Sequence, residues 1–233
     1  MTTTAAQKSV IEKFKGKLIV SSQAYPGEPM RHPETMAQIA LSAQIGGAAA
    51  IRCQGLSDIA AIKGMVQVPV IGIWKEGEEG VFITPTVRHA RCCMAAGADI
   101  VALDATSRPR PDGRSLKETA AILKDEGAII MADCASFDDA QNAVDAGFDI
   151  ISTTLSGYAP GRPALDGPDL ELLGQMIDTF PDTPVICEGR IHTPKQAAKV
   201  MEMGAWACVV GTAITHPTSI TKWFKAAVDS VAR

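Results

Sequence analysis

The residues able to do chemistry stand at intervals along the chain, each closing a short apolar run. Gln23, Arg52, Lys75, Asp104, Asp133, Thr153 and Glu188 follow KLIVS, AAAI, VPVIGI, DIVAL, AIIMA, DIIS and VIC, directly or one residue on. Lys75 ends VPVIGIWK. An amine there can form a Schiff base, bind an anion, or accept and return a proton. The last role requires its pKa to fall from about 10.4, through burial or a neighbouring cation such as Arg52. Glu188, in CEGR, is the carboxylate suited to work opposite it, since Gly189 lets the backbone turn tightly against a ligand. Arg52 and Asp133 read as substrate-orienting groups, with a structural ion pair between them as the alternative. Asp104, Asp133 and Glu188 together could hold a divalent ion. None of His32, His89, His192 and His216 ends an apolar run, however, so no metal is expected.

These side chains can meet only if the runs are parallel strands of one sheet with their C-terminal ends together. Lys17–Ser21, Ala48–Ile51, Pro69–Ile73, Asp99–Leu103, Ala128–Ala132, Asp149–Ser152, Val185–Cys187 and Ala207–Val210 have the length and apolarity of strands buried on both faces. Helical segments separate them: Pro33–Ile45, Ser57–Val66 with Ser57 as its cap, Thr86–Ala96, one capped by Ser115 and one capped by Ser136. Another follows the Leu155–Gly167 loop, and Lys195–Met203 opens at Thr193-Pro194 and stops at Gly204. Residues Met1–Phe14 predict a short helix that plugs the lower end. Repeating strand–helix units with no break in composition predict one (β/α)₈ barrel over residues 1–233; an open, doubly wound sheet is the alternative.

The stretch Pro184–Pro217 supplies the anion-binding physics. Two consecutive strands each end in a glycine ahead of a helix, at Gly189-Arg190 and Gly211-Thr212, so backbone N–H groups converge on one point. In barrels of this kind a phosphate sits after strands seven and eight.

Composition narrows the class further. A net charge of −4 gives no reason to expect nucleic acid or an anionic membrane as partner. The six cysteines form no CxxC, which predicts reduced core thiols. No apolar run approaches the ~20 residues of a membrane span, and the N-terminal residues lack a signal-peptide core. A cytoplasmic protein is expected.

The runs GKLIVSSQA, IRCQ, PVIGIWK, FITPT, IVALDAT, IMADCAS, ISTTLSGY, CEGRIHTP and CVVGTAIT, in this order from Gly16 to Phe224, resemble the N-acetylmannosamine-6-phosphate 2-epimerase family. The resemblance implies a (β/α)₈ barrel of the ribulose-phosphate-binding type. It also implies an isomerase that interconverts N-acetylmannosamine 6-phosphate and N-acetylglucosamine 6-phosphate in sialic-acid breakdown, with no cofactor. Lys75 falls on the family's catalytic acid/base and Glu188 on the carboxylate that assists it. Gln23, Arg52 and Asp133 fall on substrate contacts, to which Thr153 and Tyr158 are added; Gly189, Arg190, Gly211 and Thr212 are the phosphate site. Members often carry Arg at the position of His216 and Gly at that of Thr212. The C-terminal helix, Ser219–Ala232, shows an apolar stripe of Ile220, Trp223, Phe224, Ala227 and Val231, and the family suggests a homodimer. A Schiff-base aldolase, another phosphosugar isomerase and a non-catalytic sugar-phosphate sensor are the competing functions.

Overall fold

The computed structural model describes residues 4–160 and 162–231. Strand and helix alternate along the chain. The order is α1 (Ala5–Glu12), β1 (Lys17–Ser22), α2 (Pro33–Ile45), β2 (Ala50–Gln54), α3 (Leu56–Lys63), β3 (Val70–Ile73), α4 (Val87–Ala95), β4 (Ile100–Asp104), α5 (Leu116–Asp125) and β5 (Ile130–Asp133). It continues with α6 (Phe137–Ala146), β6 (Ile150–Ser152), α7 (Leu170–Thr179), β7 (Val185–Glu188), α8 (Pro194–Glu202), β8 (Ala207–Val210), α9 (Thr212–Thr215) and α10 (Pro217–Asp229). The strands pair in parallel, in sequence order, and β8 returns to β1, so the sheet closes into a barrel. An open sheet is excluded.

Each strand has two buried faces, and residue parity decides between them. Ile19, Ala50, Ile71, Ile100, Ala102, Met131, Ile150, Ile186 and Val209 point inward and form one apolar cluster. Val20, Ile51, Cys53, Leu103, Ala132, Ile151, Cys187 and Cys208 point outward against the helices. Helix α1 closes the lower end, where Ile11 and Phe14 join the inner cluster and the Trp206 indole N–H donates to the Ile11 carbonyl (3.3 Å). The helix expected over Met1–Phe14 is thus present from Ala5; residues 1–3 lie outside the described part, as do Gly161 of the long loop and Ala232 of the C-terminal stripe.

Several expected caps form. Ser115, Ser136 and Thr193 each make a reciprocal capping box, with Glu118, Asp139 and Gln196. Two boundaries differ from the sequence reading. Strand β2 runs to Gln54, because the barrel wall buries Arg52 and Gln54 as fully as the apolar residues before them. Gly55, at φ +91°, then turns the chain straight into α3 and takes the N-cap position expected for Ser57. Among the described residues no helix is long and apolar enough to cross a membrane.

Candidate active site

The C-terminal strand ends enclose a cavity of about 680 Å³. Gln23, Arg52, Lys75, Tyr158, Glu188, Gly189, Arg190, Gly211 and Thr212 all line it. In a closed ring of eight strands β3 and β7 are diametrically opposed, so Lys75 and Glu188 face one another across the mouth.

Arg52 lies between them. Its guanidinium makes paired hydrogen bonds to Asp133, Nη1 to Oδ1 at 3.0 Å and Nη2 to Oδ2 at 2.6 Å, with both side chains out of contact with water. Its Nε comes within 3.3 Å of Glu188 Oε1 without hydrogen-bond alignment, so this buried N–H forms no hydrogen bond. Burial alone would depress the Arg52 pKa, but the charges of Asp133 and Glu188 outweigh it and raise the value. Asp133 itself lies beneath Arg52 and off the cavity wall. The ion pair that the sequence left as the alternative to substrate contact is thus formed.

The two opposed groups have moved toward each other in acidity. Burial, helped by the positive charge of Arg52, brings the Lys75 pKa down to about 8. Burial and the charge of Asp133 bring Glu188 up to about 7, against the opposing pull of Arg52 and a hydrogen bond from Thr154. The Lys75 Nζ donates to Gln23 Oε1 (3.0 Å), and Gln23 Nε2 donates to Ser21 Oγ (2.8 Å), which fixes the amine from strand β1.

Two strand-end residues do not converge on the mouth. Thr153 has outward parity: its hydroxyl accepts from the Glu188 N–H (3.1 Å) and donates to the Glu188 carbonyl (2.9 Å), pinning β7 to β6 from behind. The next residue, Thr154, faces the cavity and donates to Glu188 Oε2 (3.2 Å). Asp104 points inward in register with Asp133, but Thr106 and Arg108 take its carboxylate, and it lies off the cavity wall.

After β7, Gly189 adopts φ +108° and Arg190 φ +55°, a sharp turn that presents backbone toward the cavity. The Arg190 side chain reaches the long β6–α7 loop, donating to the carbonyls of Gly167 (3.0 Å) and Ser156 (2.6 Å) and lying over the Tyr158 ring (5.1 Å). After β8, Gly211 caps the short α9, and the first N–H groups of a helix have no acceptor within it. Gly189, Arg190, Gly211 and Thr212, where the sequence expects a phosphate, all line the cavity. Strand β2 brings Gln54 to the wall, and the loops bring Tyr25, Arg31 and His192, none of which the sequence reading assigned to the site, together with His216, where family members often carry Arg. Gln54 and Thr154 could have been found by parity, two residues on from Arg52 and Ser152. The others sit on irregular backbone, where no period marks them.

Sequence and structure comparisons agree on the relatives. A family model described as "Putative N-acetylmannosamine-6-phosphate epimerase" matches residues 36–230. The chain belongs to the N-acetylmannosamine-6-phosphate epimerase family. A family member of Cutibacterium acnes is 60% identical over 221 residues, covering 94% of this chain and 96% of the relative. One of Caldanaerobacter subterraneus is 46% identical, covering 94% and 93%. Both are named "Putative N-acetylmannosamine-6-phosphate 2-epimerase". The solved structure of the N-acetylmannosamine-6-phosphate 2-epimerase from Clostridium perfringens superposes with a TM-score of 0.89 at 41% identity, covering 93% of this chain and 95% of that one. A thiamine phosphate pyrophosphorylase from Pyrococcus furiosus, at 19% identity and a TM-score of 0.62, shares the fold alone.

Proposed function

We infer that this protein is an isomerase interconverting N-acetylmannosamine 6-phosphate and N-acetylglucosamine 6-phosphate through proton transfer at C2. One observation carries the reading beside the family membership: an amine and a carboxyl face each other across one cavity, the amine made less basic and the carboxyl less acidic by burial. Epimerisation needs such a pair. The open-chain aldehyde acidifies the C2 proton; a base on one face takes it, and an acid on the other delivers a different proton to the enolate.

Near neutral pH the pair Lys75–Glu188 holds one proton on average. With neutral Lys75 and protonated Glu188 the amine is base and the carboxyl acid; after turnover the charges have exchanged, and the same pair is set for the reverse reaction. Arg52, through the Nε that forms no hydrogen bond, is the donor offered to the enolate oxygen. Gln23 steadies Lys75, Tyr158 closes the wall, and the backbone at Gly189, Arg190, Gly211 and Thr212 takes the phosphate, whose binding positions C2.

A homodimer and a cytoplasmic location belong to the same proposal. No residue of α10 is buried, and Phe224 (71% exposed) and Val228 (64%) leave an apolar stripe uncovered. A second copy would cover it. The six cysteines are free thiols, as suits a reducing compartment, and the net charge of −4 offers nucleic acid no attraction.

Proton NMR with N-acetylmannosamine 6-phosphate in deuterated water tests the function. The gluco epimer should appear carrying deuterium at C2. Binding without conversion or exchange would leave a sensor or an enzyme for a different phosphosugar.

A further inference from the structure

The β1–α2 loop crosses the cavity mouth beside Lys75, and one carboxylate ties it down at two points. Glu28 Oε2 accepts the backbone N–H of Tyr25 at 2.8 Å, and Glu28 Oε1 accepts from His216 Nε2. The histidine is held in turn: its Nδ1 accepts the Ser219 N–H at 3.2 Å as the N-cap of α10, which leaves Nε2 as the N–H facing Glu28. The Tyr25 ring meets the imidazole edge-on, with centroids 5.4 Å apart. Its other contact is catalytic ground: Lys75 Nζ lies 5.8 Å from the ring centroid, at the outer limit of cation–π reach, so the ring acts on the amine chiefly by displacing water. Tyr25 and Glu28 share the β1–α2 loop, His216 lies 188 positions after Glu28, and the mechanism above uses none of them.

We propose that Glu28 is a positioning residue for the epimerase reaction: by tying the Tyr25 backbone to His216, it holds the aromatic ring as a roof over Lys75. This rests on the assignment of Lys75 as the C2 base. The roof has two consequences. It keeps water from the amine, and it closes the side of the mouth where β8 meets β1, next to the phosphate turn. The charged groups facing Lys75 from other elements are Arg52 on β2, Asp133 on β5, Glu188 on β7 and Arg31 on the β1–α2 loop. Of these only Arg31 travels with the loop. It donates to the Ala24 carbonyl (2.7 Å), close to the start of the loop, so losing the Glu28 tie frees Tyr25 before it frees Arg31. Opening the roof therefore hydrates Lys75 and raises its pKa while the three strand-borne charges stay in place.

The reading is the pH dependence of turnover in both directions. Lys75 has the higher pKa of the pair, so its titration sets the alkaline limb of the profile. In Glu28→Ala and in Tyr25→Ala that limb should move to higher pH, with the acid limb unmoved. Each pH unit of movement lowers the population of neutral Lys75 with protonated Glu188 about tenfold, slowing the direction that starts from that form. Tyr25→Phe keeps the ring and should restore the wild-type limb. The double variant Glu28→Ala/Tyr25→Ala should move the limb no further than the larger single change, because both act through one roof. An unmoved limb in both alanine variants, or additive movements, would overturn the proposal even with the epimerase intact. Absence of C2 exchange in the wild type would instead overturn the functional reading beneath it. Should Glu28→Ala fail to fold, Tyr25→Ala against Tyr25→Phe decides the question alone.

Discussion

Arg52 reaches across the barrel lumen from β2 to Asp133 on β5, and the two share a pair of hydrogen bonds at a depth water does not reach. An ion pair so placed is expensive to break from one side, because the remaining charge stays buried. Asp133→Ala should destabilise the fold by about 3–5 kcal/mol, a drop of roughly 6–20 °C in Tm for a chain of this size. Differential scanning calorimetry checks it. A change within 1 °C would mean that Glu188 alone can compensate Arg52.

Lys75→Ala and Glu188→Gln should each lower kcat by about 10²–10⁴ while the thermal transition stays near that of the wild type. Steady-state kinetics in both directions, with circular dichroism on the same samples, separates lost chemistry from lost structure. Retention of most activity in either variant removes that residue from the proton pathway.

The pH profile of kcat/KM should be bell-shaped with its maximum between about 7 and 8. The sign follows from one shared proton. Below the range both groups are protonated and no base remains; above it both are deprotonated and no acid remains. A rate that climbs steadily to pH 10 would exclude Glu188 as the acid.

Adjacent threonines should separate by readout. Thr153→Val removes the hydroxyl that satisfies the Glu188 N–H and carbonyl, so stability should fall by about 1–3 kcal/mol. Thr154→Val removes a hydrogen bond that favours ionised Glu188, so that pKa rises and the acid limb of the bell moves to higher pH. Similar behaviour in the two variants would contradict the opposite parity of these side chains.

The apolar stripe on α10 makes a prediction about assembly. Phe224→Asp should shift the protein from dimer to monomer in multi-angle light scattering, since a charge there cannot be buried against a second copy. A wild-type protein that is already a monomer at micromolar concentration removes the proposed dimer.

The barrel was legible in the sequence because its signal repeats: seven of the eight strand runs lead into a polar residue, and Ser115, Ser136 and Thr193 mark helix starts by capping chemistry that needs no tertiary context. The opposition of Lys75 and Glu188 followed once the strands were counted. Parity was within reach too. Ile150, Ser152 and Thr154 share one face, and reading along it would have chosen Thr154 over Thr153. The fate of Asp104 was not legible, since its neutralisation by Arg108 depends on how an irregular loop folds back. Nor was the contact between Glu28 and His216, made across 188 positions of sequence by two loops without periodicity.

The helix that seals the lower end gives the molecule a polarity useful at the bench. With Ile11 and Phe14 stoppering the lumen, the cavity that takes substrate opens, among the described residues, at the opposite end. A tether attached ahead of Thr4 leaves from the sealed end, so protein immobilised through its N-terminus presents its open end to the flowing solution.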